Sequence, residues 1–375
     1  MMTDTIDFDV KSEVEKQLEN SVSYSYWQLV RMRYTRKKYN IAAAIITLMV
    51  LLSAVFSGFF APYSPSNKDT NAIYSPPQGI SIWDDGPSWP YIVEFEESMD
   101  PVTFEITFVE GETKHYLTFF TSGDTWTLLG MEFDTHLFGV EGNGYIHILG
   151  TDSLGRDVFS RMMFGTEITL VMAFIVMILS GLIGIALGVS SGYFGGTYDV
   201  IIQRTVEFVK AFPDLPLILA LVAILPTRSE PMTVFMMFAG ILVLLRWSDL
   251  ARELRGKVLS LRSVEYVQSA IAVGATDTRV LTKHIAPNMA SHIIVWATYT
   301  LPEIILVESF ISFLGVGVQA PMVSWGVMLN QIRDFQSFSA APWLMAPVAM
   351  IMLSVLAFNA MGDGLRDAMD PHAND

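Results

Sequence analysis

Three acidic residues, Asp214, Glu303 and Glu308, fall within or beside long apolar stretches. A carboxylate inside a bilayer is costly, so it faces protein or water and marks a path, an ion pair or a buried hydrogen-bond acceptor. Asp214 with Glu308 is the only acidic pair that could serve an intramembrane hydrolase. The chain has no cysteine, which excludes disulfides, thiolate nucleophiles and cysteine metal sites. It has neither the G-x-x-x-x-G-K-[ST] phosphate loop nor the H-E-x-x-H zinc motif. His115, His136 and His147 match no metal-ligand spacing and read as ordinary surface or core histidines. No catalytic, cofactor-binding or metal-binding residue is expected.

What the chain offers is a mechanical part. Between two apolar stretches lies a polar island, Glu265-Tyr-Val-Gln-Ser-Ala-Ile-Ala-Val-Gly-Ala-Thr-Asp-Thr-Arg-Val-Leu-Thr-Lys-His-Ile-Ala-Pro-Asn288. It reads as two short helices joined at a glycine. Ser263 is expected to cap the first, with Glu265 in its first turn, where a carboxylate favours the helix N-terminus. Gly274 is expected to end it in the left-handed conformation. Thr276 or Asp277 caps the second, and Pro287 stops it. A helical elbow at a membrane face is a handle for a partner protein.

The flanking elements are membrane spans. Hydrophobic residues make up 51% of the chain and charged ones only 16%, against roughly 25% charged in ordinary soluble domains. A spanning helix needs about 20 mostly apolar residues. Stretches 41–60, 168–194, 231–245, 289–301 and 340–362 are free of charge and long enough alone or with apolar extensions. A sixth, 200–225, carries Arg204, Glu207, Lys210 and Asp214, mostly in its first half, which is expected at the interface or against protein. The first span is too long for a cleavable signal. Arg31, Arg33, Arg36, Lys37 and Lys38 precede it, which places the N-terminus inside. Alternation then places the region 246–288 inside too, where seven Lys/Arg face four Asp/Glu, and the tail likewise.

The net charge of −15 belongs mostly to one segment: residues 61–150 hold 14 Asp/Glu and 2 Lys/Arg. That segment is too long for a plain connection. Val102, Phe104, Ile106 and Phe108 alternate with polar residues, a strand period, with a turn expected at Glu110-Gly111-Glu112 and a return over His115–Phe120. A small β-containing domain on the outer face is expected.

Several motifs occur in order: Gly150-Thr-Asp-Ser-Leu-Gly-Arg-Asp157, Glu308-Ser-Phe-Ile-Ser-Phe-Leu-Gly-Val-Gly-Val318, Pro321-Met-Val-Ser-Trp-Gly326 and Asn359-Ala-Met-Gly-Asp-Gly-Leu-Arg-Asp367. With the polar island they resemble the ABC-importer permeases of the oligopeptide/dipeptide/nickel family, closest to the "C" membrane subunit of a peptide permease in its long-external-loop branch. The resemblance runs from about Gly150 to Pro371. The family's coupling loop carries Glu-Ala-Ala, three residues, Gly, then Ile-x-x-Pro or Ile-Leu-Pro about ten residues on. Here Gln268-Ser269-Ala270, Gly274, Ile285 and Pro287 stand in those places. Gln268 replaces the usual acid, and Glu167 stands where relatives carry arginine.

The resemblance implies an all-α polytopic membrane protein. It has six transmembrane helices of the type I ABC-importer permease kind and a small β-containing external insert between helices 1 and 2. The expected divisions are a cytoplasmic segment 1–38, a first span 39–60, the acidic insert 61–160, a permease core 161–363 with the coupling loop at about 249–288, and a cytoplasmic tail 364–375. It implies an ATPase-coupling role for Glu265, Tyr266, Gln268, Ser269, Ala270, Gly274, Ala275, Asp277, Ile285 and Pro287. Glu303, Glu308 and Gly315 are pathway or packing residues. Asp152, Gly155, Arg156, Asp157, Trp325, Gly326, Asn359, Gly362, Asp363, Arg366 and Asp367 complete the family signature. The implied partners are a second homologous permease subunit in a heterodimer, two ABC ATPase subunits, an extracytoplasmic solute-binding protein and the lipid bilayer of the cell membrane. No nucleic acid, no cofactor and no enzymatic activity of the chain itself is implied. Peptides are the implied solute, with nickel, glutathione and antibiotic peptides as alternatives. A membrane-anchored sensor is the distant rival, and it lacks a cytoplasmic output domain.

The orientation is testable because the chain is free of cysteine. Single cysteines at Thr121 and Thr276 should react oppositely with an impermeant thiol reagent on intact cells, the first labelled and the second spared. The reverse pattern overturns the orientation.

Overall fold

The protein, seen in a computed structural model, is described over residues 25–84, 86–99, 101, 106–142, 144–226, 229–333 and 335–370. Helices α1 (Tyr26–Arg36) and α2 (Lys38–Val55) are followed by a single turn, Ser57–Phe60. Then come strands β1 (Ser81–Trp83), β2 (Pro87–Met99), β3 (Ile106–Leu128) and β4 (Met131–Val140). The remaining helices are α3 (Val158–Phe194), α4 (Gly196–Lys210), α5 (Asp214–Ala223), α6 (Pro231–Arg262), α7 (Glu265–Ala272), α8 (Ala286–Phe313), α9 (Trp325–Asn330), α10 (Phe335–Ala340) and α11 (Ala346–Met369).

The bundle is organised on α3. Its 37 residues span about 55 Å at 1.5 Å per residue, well beyond the roughly 30 Å hydrocarbon layer. Asp157 caps it by accepting the Ser160 N–H at 2.6 Å, and Gly195, at φ 67°, ends it. Glycines at every fourth position of α3 meet residues at every fourth position of α6. A methyl group built on Gly184 would lie 2.9 Å from the Trp247 carbonyl oxygen, one on Gly188 2.5 Å from that of Ala251, and one on Gly192 2.8 Å from that of Arg255. With no side chain in between, the two backbones pack directly, as small-residue faces allow. On α11, Gly362 makes room for the Thr298 side chain of α8 and Gly364 for the Asn40 side chain of α2.

Among the described residues, five helical stretches are long and apolar enough to cross a membrane: 38–55, 158–194, 231–262, 277–313 and 342–369. The sixth expected span is two helices, α4 and the ten-residue apolar α5, broken at Ala211-Phe212-Pro213. Pro213 lacks the N–H that would continue the ladder and pushes Phe212 out of the helical region. The charges of α4 pair locally: Arg204 with Glu207 at 2.7 Å, and Lys210 with Asp249 of α6 at 2.7 Å.

The insert is an antiparallel sheet in the order β1-β2-β3-β4. β3 is long enough to serve two ribbons, pairing β2 from Met99↔Ile106 to Tyr91↔Tyr116 and β4 from Leu117↔Val140 to Leu128↔Met131. The expected turn at 110–112 is not there. β3 continues through it with a bulge, the pairing stepping from Val93↔Lys114 to Phe95↔Glu110, and the β2–β3 reversal falls between Met99 and Ile106, where the expected strand residues 102–105 lie outside the described set. The β3–β4 turn is Leu129-Gly130, both at positive φ, as a two-residue hairpin of the I′ type requires. The alternation at 102–108 signals a strand, and the turn-type residues Glu110-Gly111-Glu112 mark the bulge in β3 where a reversal was expected, on a ribbon whose Glu110 and Glu112 are exposed.

The insert is pinned to the bundle by buried polar groups. His136 lies between the carbonyls of Gly58 and Asp124, at 2.8 and 2.9 Å. His147 faces Asp157 at 3.1 Å and Asp69 at 3.5 Å, with the Tyr145 ring stacked on it. Burial alone would drive His147 towards the neutral form, but the two carboxylates outweigh it and lift its pKa to about 9. His147 in turn helps hold Asp69 below the ordinary carboxylate value. Beside it, Asp152 accepts from Arg156 Nε at 2.8 Å and Gln331 Nε2 at 3.2 Å. Gly155, at φ 68°, lets the Asp69 and Gly155 backbones join at 2.8 Å. The signature residues Asp152, Gly155, Arg156 and Asp157 therefore form a joint between insert and helix. His115 sits apart on the ribbon, 3.2 Å from Glu94.

Two predictions come from this packing. Gly188→Val should lower the melting temperature in detergent sharply, because only backbone lies in the way, and overpacking typically costs about 1–3 kcal/mol. Gly240→Ala, which meets nothing within 4 Å, should not. Equal stability of the two variants removes the seam. The His147 pair should titrate. Its folded pKa, about 9, exceeds the ordinary 6.5. Its stabilisation is therefore complete below about pH 6.5 and lost as pH rises towards 9, on the order of 3 kcal/mol. The melting temperature should fall over that window in wild type and less steeply in His147→Gln. An identical slope in both rejects the charged joint.

Candidate functional site

The polar island forms the expected elbow. α7 ends in a Schellman arrangement: the Ala275 N–H bonds the Ala270 carbonyl at 3.0 Å, the Gly274 N–H bonds that of Ile271 at 2.9 Å, and Gly274 has φ 88°. Thr276 caps the next turn by accepting the Arg279 N–H. Two details differ from the sequence reading. Ser263 does not cap α7, whose N-cap is Val264. Ser263 closes α6, its Oγ donating to Ser260 O at 2.8 Å. Pro287 does not stop a helix either. Residues 280–285 form a π-helical segment that runs into α8, with Pro287 in the first turn of α8, where no intrahelical N–H is required.

The elbow has a buried foot and a bare tip. Val267, Val280, Ile285 and Met289 pack against Tyr193 of α3 and Leu250, Leu254 and Val258 of α6. The Tyr193 hydroxyl donates to Asp277 at 2.7 Å, and Asn288 Nδ2 donates to the Tyr266 hydroxyl at 3.0 Å. Gln268 Nε2 donates to the Arg262 carbonyl at 2.7 Å, tying α7 to the end of α6. Glu265, Gln268, Ser269 and Gly274 are exposed, Val273 is 90% exposed, and nothing lies within 4 Å of a methyl built on Gly274.

Between α6 and α8 a cavity of about 1330 Å³ opens along the bundle. The two helices both pack along α3 but barely touch each other. Arg246 of α6 and Glu303 of α8 form an ion pair across it, with Asp214 of α5 3.8 Å from the same guanidinium nitrogen. Further towards the elbow, Glu253 meets His292 at 2.9 Å. Glu303 thus lines the cavity and Glu308 does not. Glu308 is fully buried, accepting from Ser312 Oγ at 2.7 Å and Thr169 Oγ1 at 3.3 Å. Thr169 also receives the Trp325 N–H, and the Trp325 indole N–H reaches the Met162 carbonyl at 3.3 Å. Gly326 presses on the Ser309 backbone. Gly315, at φ 83°, reverses the chain after α8. This set fastens α3, α8 and α9 together.

The remaining signature residues lie on α11. Asn359 is half-buried, Asp363 accepts the Tyr299 hydroxyl, Arg366 lines the cavity, and Asp367 pairs with Lys37 at 2.7 Å. Glu167 accepts from Ser57 Oγ at 2.5 Å in a smaller cleft of about 320 Å³ beneath the β3–β4 hairpin. Gly188-Val-Ser-Ser-Gly192 has the G-x-S-x-G order of a hydrolase elbow, but it lies inside α3, with Ser190 Oγ bonded to the Ala186 carbonyl at 2.6 Å. Sequence reasoning missed the cavity face of α8. Its signal was present: His292, Trp296, Tyr299 and Glu303 recur at helical spacing and all line the cavity.

Residues 184–375 match the family described as the binding-protein-dependent transport system inner membrane component. Residues 25–77 match the N-terminal TM domain of oligopeptide transport permease C. The chain is 38% identical over 226 residues to the oligopeptide transport system permease protein OppC of Bacillus subtilis, covering 60% of this chain and 72% of that one. It is 40% identical over 232 residues to the glutathione transport system permease protein GsiD of Pectobacterium atrosepticum, covering 62% and 74%. It is 38% identical over 227 residues to the dipeptide transport system permease protein DppC of Bacillus subtilis, covering 60% and 68%.

Proposed function

The chain belongs to the binding-protein-dependent transport system inner membrane components, and on that premise we propose that it forms half of the translocation pathway for peptides in an ATP-driven importer. A second homologous permease subunit supplies the other half, two separate ATPase subunits supply the energy, and an extracytoplasmic binding protein delivers the solute. The N- and C-termini and the elbow lie on the cytoplasmic side, and the acidic insert lies outside. Oligopeptides or dipeptides are the solute class, which the names of two of the three relatives support. Glutathione, itself a tripeptide, is the second reading, supported by the relative at 40% identity.

The observation that carries this reading is the elbow's construction. Its tip, from Gln268 to Gly274, is bare, while its foot is embedded in α3, α6 and α8. A pull on such a tip is transmitted to three helices at once, because packed apolar contacts resist separation. ATP-driven closure of the ATPases moves the elbow, and the cavity between α6 and α8 changes its access with it.

Gly274 is the sensitive position. A side chain at φ 88° strains the backbone by about 1 kcal/mol or more and projects into the docking surface. Gly274→Asp should leave the protein inserted yet abolish solute-stimulated ATP hydrolysis by the complex. Gln268→Glu gives up the bond to the Arg262 carbonyl, but its exposed carboxylate turns to water, so it should be tolerated, and Gln268→Ala should do less harm than the glycine change. Unimpaired stimulation in Gly274→Asp removes the elbow from the mechanism.

A further inference from the structure

The cavity between α6 and α8 is crossed by two rungs. Arg246–Glu303 is one and Glu253–His292 the other. Seven residues of α6 separate Arg246 from Glu253, about 10 Å along the axis at 1.5 Å per residue. Between the rungs, α8 presents Trp296 and Tyr299 to the same space. The Trp296 ring rests against Gly181 of α3, which fixes its position.

The two members of the first rung differ in a way that matters. The Arg246 side chain is 8% exposed and the Glu303 side chain 54%. Asp214 also lies 3.8 Å from the Arg246 guanidinium. If Glu303 turns to another cation, Arg246 keeps a carboxylate partner and no buried charge is stranded, which is the usual obstacle to opening a buried pair. Glu303 is therefore an exchangeable acceptor at the wall of a cavity, with aromatic faces beside it that attract ammonium groups.

We propose that Glu303 is the subsite that receives the amino-terminal ammonium group of the peptide in transit, displacing Arg246, with Tyr299 one turn away on α8 beside it and Trp296 further along the same wall towards His292. The inference rests on reading this cavity as the pathway. The rungs stand about 10 Å apart along α6 and, with eleven residues from His292 to Glu303, about 16 Å apart along α8, room for an extended peptide of about three to five residues at 3.3–3.6 Å each. The acceptor recognises a charge common to all unblocked peptides and ignores side chains, as a carrier fed by a separate binding protein requires.

The test uses the complete complex in lipid nanodiscs without binding protein, with labelled trialanine and N-acetyl-trialanine as probes. Wild type should bind trialanine saturably and at least about 10-fold more tightly than the acetylated form, the factor that roughly 1.4 kcal/mol supplies. Glu303→Gln should weaken trialanine to the level of the acetylated peptide and leave the latter unchanged. Equal binding of the two peptides by wild type, no binding of either, or a preference that survives in Glu303→Gln overturns the proposal. The wild-type comparison decides even if the variant does not fold. ATP hydrolysis stimulated by the loaded binding protein tests the transport reading separately: its loss in wild type would sink that reading, and its presence with equal peptide binding would sink the subsite alone.

Discussion

The close contact between α3 and α6 is the constraint on which the rest depends. Three carbonyls of α6 lie where side chains of α3 would be, so glycine is required at 184, 188 and 192. In a bilayer, burying apolar side chains gives no advantage over leaving them in lipid, and helix pairs are held by close packing. Once α6 is fastened to α3, α8 can reach α3 only on another face, and a space remains between α6 and α8. The cavity is a consequence of the seam. So is the elbow's anchorage, since its foot packs on the ends of the same two helices, at Tyr193 and at Leu250, Leu254 and Val258.

Polar groups within the bundle follow a consistent logic. Glu308, which joins elements, is fully buried and satisfied by the hydroxyls of Ser312 and Thr169. Glu303, which faces the cavity, is paired across it with Arg246 and remains partly exposed. An intramembrane carboxylate has both options, and the difference between them is burial. Glu303 and Glu308 are five residues apart on α8 and point to different surroundings because five residues turn a helix by about 500°, which leaves them about 140° apart around the axis.

The insert is a separate solution to attachment. Its own apolar cluster is small, with Ile92, Leu117, Phe138 and Ile146 buried together, and a core of that size holds few residues. Its fixity comes from buried polar joints to the helices: His136 on the turn after α2, and His147 on the cap of α3. Asp157 serves twice, capping α3 and pairing His147, so movement of the insert bears directly on the head of the central helix.

Much of this was legible in the chain. Spans announce themselves because twenty apolar residues have no other common use, and the elbow because Gly274 and Thr276 carry local conformational preferences that context did not override. The acidic insert was evident from charge alone. Local rules failed where a neighbour in space had the last word. Ser263 has the right chemistry for a cap but lies one residue too early, and α6 claims it. Pro287 is a helix breaker in isolation, yet a π-helical segment before it places it in a first turn, where its missing N–H costs nothing. The stretch Glu110-Gly111-Glu112 reads as a turn until β2 pairs around it and leaves it as a bulge. The roles of Glu303 and Glu308 were left open by the sequence because both are acids on one apolar helix. Only the packing of α8 against α3, with a space left towards α6, decided which of them faces the cavity, since helical spacing defines faces but not what each face meets.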